Sequence, residues 1–90
     1  QGFLPFEEMP RVIDPPEGEI VTANDKITPP GYKPFLSFDW FPPYRSDRIR
    51  ELLAKRPKHS IASFEAIQAD TVSRLARELL PAARAAIRKT

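Results

Sequence analysis

Ninety residues can build one domain with a modest core, which excludes a multilayer enzyme, and 41% apolar against 29% charged residues excludes a disordered tract. The lack of cysteine removes disulfides, thiolate metal sites and cysteine nucleophiles without settling the compartment. A formal net charge of +2 is too slight to imply a polyanionic partner unless the charges cluster, and no apolar run approaches membrane-spanning length or a signal-peptide pattern.

Eleven prolines, all but Pro57 and Pro81 ahead of Arg45, make the first half poor in long helices. The chain starts with Gln1 in place of a methionine and carries no nucleophile there, so it reads as a piece of a larger protein. Residues 1–10 mix Phe3, Leu4, Phe6 and Met9 with Pro5, Pro10 and the pair Glu7-Glu8, a pattern of extended chain laid over a larger surface. Arg11-Val12-Ile13 is strand-like, Asp14-Pro15-Pro16-Glu17-Gly18 is a turn, and Ile20-Val21-Thr22 is a β-branched run that favours extended backbone. Together they predict a hairpin. Asn24 and Asp25, which favour turns and tolerate left-handed dihedrals, end its second strand.

Residues 26–34 contain Pro29-Pro30-Gly31 and Pro34 and are predicted to be a loop. In residues 35–41 the rings of Phe35, Phe38, Trp40 and Phe41 alternate imperfectly, which leaves strand and short helix both open; the rings read as core or interdomain packing. Pro42-Pro43 ends that segment, and a helix starts at Arg45 or Ser46. Ser46 is a good N-cap, Asp47 suits the positive end of the dipole, and Ile49, Leu52 and Leu53 share one face. Lys55 and Arg56 suit its C-terminus, and Pro57 stops it. A second helix begins near Ser60, where Ile61, Phe64, Ile67, Val72, Leu75 and Leu79 predict an apolar stripe along about five turns. Pro81 then kinks the helix or starts a new one over the alanine-rich residues 82–89, frayed at Thr90. The predicted fold class is α+β, with an extended and hairpin region over residues 1–44 and two or three α-helices over residues 45–90.

Two residues carry the candidate chemistry. A carboxamide at a strand terminus can donate into a cleft without changing charge, so Asn24 is either a donor to a developing oxyanion or a turn residue. Arg45 emerges stiffly from Pro42-Pro43-Tyr44, and its planar guanidinium either orients carbonyls and carboxylates through paired hydrogen bonds or makes a salt bridge. His59 has no nucleophile beside it and reads as incidental. Arg45, Arg48, Arg50, Lys55, Arg56 and Lys58 crowd one helix and its exit. Asp47 and Glu51 interleave at salt-bridge spacing, however, and no base-reading motif follows, so this is a solvated face and nucleic acid is not expected as a partner. The alternative function is a stand-alone helical interaction module that meets a partner helix through the apolar stripe of residues 61–79.

Thr22-Ala23-Asn24-Asp25 and Pro43-Tyr44-Arg45-Ser46-Asp47-Arg48-Ile49, with Asp14-Pro15-Pro16-Glu17-Gly18 before them and Gln68-Ala69-Asp70 after, resemble part of the β chain of the penicillin amidase (penicillin acylase) family of N-terminal nucleophile hydrolases. The resemblance runs from about Leu4 to Leu80. It implies a parent αββα sandwich that hydrolyses linear amides, such as a β-lactam side chain or an acylated homoserine lactone. By the same resemblance, Asn24 supplies an oxyanion-hole amide and Arg45 lines and orients the site. The attacking group would be the serine that begins the family's β chain, with its own α-amino group, of pKa about 8, as the base. Ser37, Ser46, Ser60, Ser63 and Ser73 are all internal, so the ninety residues alone are expected to be inert. Gln68 and Asp70 match a polar pair of the family and are expected to anchor the second helix by hydrogen bonds rather than react. The implied partners are the rest of the β chain and the α chain, with self-association of the isolated piece from its exposed apolar surface. Periplasmic or extracellular export and a structural calcium in the parent are family expectations only. No cofactor is expected in this piece, and no metal ligand is carried over to it.

Overall fold

The computed structural model describes residues 2–89. Gln1 and Thr90, including the predicted fraying at Thr90, lie outside them. The regular structure is a 3₁₀ turn over Phe6–Glu8 followed by three helices: α1 over Tyr44–Ala54, α2 over Ile61–Gln68 and α3 over Arg74–Arg88.

There is no strand among the described residues, which corrects the α+β class and the hairpin. A tight hairpin needs a turn whose twist matches its two strands. Here the Gly18 amide bonds the Pro15 carbonyl at 2.9 Å, closing a proline-led turn. Asp14 and Gly18 flank it at φ 47° and 71°. Those two left-handed residues redirect the chain on each side, and Pro15 and Pro16 have no N–H to give a ladder. Ile20-Val21-Thr22 therefore has no neighbouring edge to pair with, and β propensity without a partner makes no sheet. Within the loop of residues 26–34 a second turn closes, with the Tyr32 amide 3.2 Å from the Pro29 carbonyl. Gly31 adopts the positive φ of 82° that its place in the turn requires. Residues 35–41 form neither strand nor helix. The Phe35 and Phe38 rings pack at 4.5 Å, and the Ser37 hydroxyl accepts the Asp39 amide at 2.9 Å, a local bond that competes with regular structure.

α1 begins one residue earlier than expected, capped at Pro43 without a side-chain bond. Ser46 is not its N-cap. It is fully buried on the first turn and spends its hydroxyl elsewhere. The predicted long second helix is two helices. Thr71 and Val72 are β-branched, and the Asp70 carboxylate accepts the Val72 amide at 3.3 Å, so residues 69–73 leave the helix. Ser73 then caps α3 by accepting the Ala76 amide at 3.1 Å. α2 has the expected start: Ser60 and Ser63 exchange backbone-to-side-chain bonds as a capping box. Pro81 neither ends α3 nor restarts it: Leu79-Leu80 before it and Ala82-Ala83 after it are strong helix formers.

α1 and α3 pack together. Glu51 joins them through Arg74 at 3.0 Å and Arg77 at 3.3 Å. No apolar side chain among the described residues is buried; those that are buried are Ser46, Arg48 and Ser63. The radius of gyration is 17.9 Å, where a compact chain of this length would measure about 12 Å. Its accessible surface is 8149 Å², against about 5,300 Å² for a compact monomer of this mass. Polar side-chain bonds, rather than a hydrophobic core, position the site.

Candidate active site

Thr22-Ala23-Asn24, α1 and residues 70–74 surround a groove of about 590 Å³. One wall is the turn at Asn24, which with Asp14 is one of two non-glycine residues of positive φ among the described residues, at 63°. Asparagine tolerates this conformation better than most residues. Its carbonyl accepts the Phe41 amide at 2.8 Å, which ties the turn to the chain leading into α1.

Arg45 projects from the first turn of α1 to the same place. One guanidinium nitrogen, Nη2, donates to the Ala23 carbonyl and to Asn24 Oδ1, both at 2.8 Å. The guanidinium also lies over the Phe41 ring, 5.5 Å from its centroid. A guanidinium has donors and no acceptor, so the carboxamide must turn its oxygen toward Arg45. Asn24 Nδ2 is left as a free donor pair at an exposed position. The two residues singled out from sequence are therefore in direct contact on one groove.

Beside this pair runs a second bond. The buried Ser46 hydroxyl is 2.8 Å from Asp25 Oδ2 and 3.0 Å from the Pro43 carbonyl. Asp25 Oδ1 accepts the Ala23 amide at 3.2 Å. Burial pushes the Asp25 carboxyl up, but the hydrogen bonds from Ser46 and the Ala23 amide outweigh it and hold the group below its ordinary value.

The far wall is braced by Arg48, which meets Asp70 through two bonds of 2.9 Å and 2.7 Å and Glu51 at 2.7 Å. The hydrogen bond from Arg48 holds the Asp70 carboxyl below its usual range against a smaller desolvation effect. Burial pushes Glu51 up, and the hydrogen bond from Arg77 with the charge of Arg48 bring it below. Asp70 lies beyond the end of α2 rather than within it, and it anchors the link to α1. Gln68 is the last residue of α2 and does not meet the Asn24 and Arg45 pair. Arg48 and Glu51 were absorbed into a general basic face in the sequence. Their spacing of three on one helix was the available signal, whereas nothing local marks Asp70 as their partner.

His59 is built in rather than incidental: its Nε2 is 2.8 Å from the Leu53 carbonyl and its Nδ1 3.0 Å from Ser63 Oγ, joining the end of α1 to the start of α2. Among the described residues no three His, Cys, Asp or Glu side chains converge to hold a metal.

The groove thus pairs a carboxamide with a guanidinium in a chain that buries no apolar side chain among its described residues. The chain belongs to the penicillin amidase family, whose model matches residues 1–90. It is 47% identical over 73 residues to the penicillin acylase 2 proenzyme of Pseudomonas sp. (strain SE83), covering 81% of this chain and 9% of that protein. It is 41% identical over 66 residues to the acyl-homoserine lactone acylase QuiP of Pseudomonas putida, covering 73% of this chain and 8% of that protein. QuiP of Pseudomonas fluorescens (strain Pf0-1) is 39% identical over 66 residues. No solved structure matches the chain.

Proposed function

We propose that these residues form part of an active site that hydrolyses linear amides, of the kind found in a β-lactam side chain or an N-acyl homoserine lactone. Asn24 Nδ2 donates to the oxygen of the tetrahedral intermediate, and Arg45 holds the carboxamide in the orientation that presents that donor. A serine outside these ninety residues attacks, with its own α-amine as base, so the isolated chain is inert. The observation that supports this reading is the 2.8 Å bond from Arg45 to Asn24 Oδ1, which commits the carboxamide oxygen and leaves Nδ2 as the group that can donate. A fixed donor stabilises a developing negative charge without reorganising during the reaction.

Replacing Asn24 in the complete enzyme tests it. Asn24→Ala should lower kcat by about a hundredfold or more, with a much smaller change in KM. An unchanged kcat would remove Asn24 from the chemistry.

A further inference from the structure

Two neighbouring residues on the loop meet two neighbouring residues on the helix. Arg45 bonds Asn24, and Ser46 bonds Asp25, each at 2.8 Å. Ser46 is fully buried and its proton has two acceptors in reach, the Asp25 carboxylate at 2.8 Å and the Pro43 carbonyl at 3.0 Å. The charged and nearer acceptor takes it. Asp25 accepts the Ala23 amide with its other oxygen, closing the turn around Asn24, while Arg45 bonds the Ala23 carbonyl and Asn24 Oδ1. Asn24 is held at φ 63° between these two closures. That conformation is unfavourable for a residue with a side chain and persists only where its surroundings impose it.

We propose that Asp25 and Ser46 are positioning residues for the Asn24 donor: their bond fixes the loop against α1 at the distance at which Arg45 can reach Asn24 Oδ1. Neither touches the reacting atoms, and both act through Asn24. The inference rests on the oxyanion-donor reading of Asn24.

The pair has a property that separates hydrogen bonding from charge. In Asp25→Asn, the new amide oxygen can accept the Ala23 N–H and its NH₂ can donate to Ser46 Oγ. The serine proton then turns to the Pro43 carbonyl already 3.0 Å away. Every partner stays satisfied with no carboxylate present. Asp25→Ala removes the bond altogether, and Ser46→Ala removes it from the other side while keeping a good helix former in α1.

The test is kcat in the complete enzyme for Asp25→Ala, Ser46→Ala and Asp25→Asn, each alone and with Asn24→Ala. Asp25→Ala and Ser46→Ala should each lower kcat about tenfold, the scale of a modest misplacement of a catalytic group. In the Asn24→Ala background either one should cost less than about twofold, since the group they position is gone. Asp25→Asn should stay within about twofold of the parent enzyme. Equal losses in both backgrounds, or no loss from Ser46→Ala, would overturn the positioning role while leaving the role of Asn24 intact. If Asn24→Ala alone leaves kcat unchanged, the reading of the site falls and this inference falls with it. Should Asp25→Ala fail to fold, Ser46→Ala and Asp25→Asn decide the matter by the same comparison.

Discussion

The side-chain chemistry of single residues accounts for most of what is ordered at the groove. Arg45 has only donors, and this alone orients Asn24. Arg48 is nearly buried, yet every charge about it is answered by Asp70 and Glu51. The carboxyls of Asp70 and Glu51 are held below their ordinary values, so they favour the ionised form more in the folded chain than in the unfolded one. Their stabilising effect is present above the unfolded pKa, about 4, and is lost as pH falls through the lower folded values. In an NMR titration the Arg48 Nε–H resonance, which reports its bond to Asp70, should hold its position through pH 4 or so and move only under stronger acid. A resonance that titrates with the ordinary carboxylate value would mean that the bond is not formed. At this scale the sequence was informative wherever a residue acts on its near neighbours, as Ser60 does in capping α2 or Gly18 in the turn after Pro15. It was silent on Arg48 with Asp70 and on Ser46 with Asp25, whose members lie 22 and 21 positions apart.

Elements began and ended by local chemistry, and differences from expectation have local causes. The apolar periodicity from Ile61 to Leu79 suggested one helix because hydrophobic spacing ignores the cost of β-branched residues and of a self-bonding aspartate. Residues 69–73 break it, and the break places Asp70 against α1. α3 tolerates Pro81 in its interior, where the missing N–H leaves the Arg77 carbonyl without its usual bond and the ring crowds the preceding turn. Pro81→Ala should therefore stabilise α3 by about 3 kcal/mol, read as a rise in helical circular dichroism and slower amide exchange after residue 81. No gain in helicity would show that the proline ring makes contacts worth as much as the bond it displaces.

Over the whole molecule, the ratio of polar ties to apolar burial is inverted from that of an independent domain. Phe3, Phe38 and Ile61 are 103%, 89% and 81% exposed, and they lie on three different parts of the chain. α3 leaves Leu75, Leu79, Leu80 and Ile87 open as well. Surface of this kind is covered in a functioning protein, and the reading of the chain as one portion of a larger hydrolase supplies the cover. Alone in solution, the ninety residues should associate: light scattering should report a mass that rises with concentration. A monomer with a radius of gyration near the compact value of about 12 Å would contradict both that association and the open arrangement described here.

The residues alone were sufficient for membership of the penicillin amidase family, for the proline-led turn before Gly18 and for the cap at Ser60, because each depends on side chains within a few positions of one another. They misled about the hairpin, since a strand exists only against a partner edge, and about the unbroken second helix. Only the tertiary structure brought Asn24 onto Arg45 and Asp25 onto Ser46. Those contacts join segments some twenty residues apart, and hydrogen bonds of that reach are set by how the loop meets the helix rather than by any local preference.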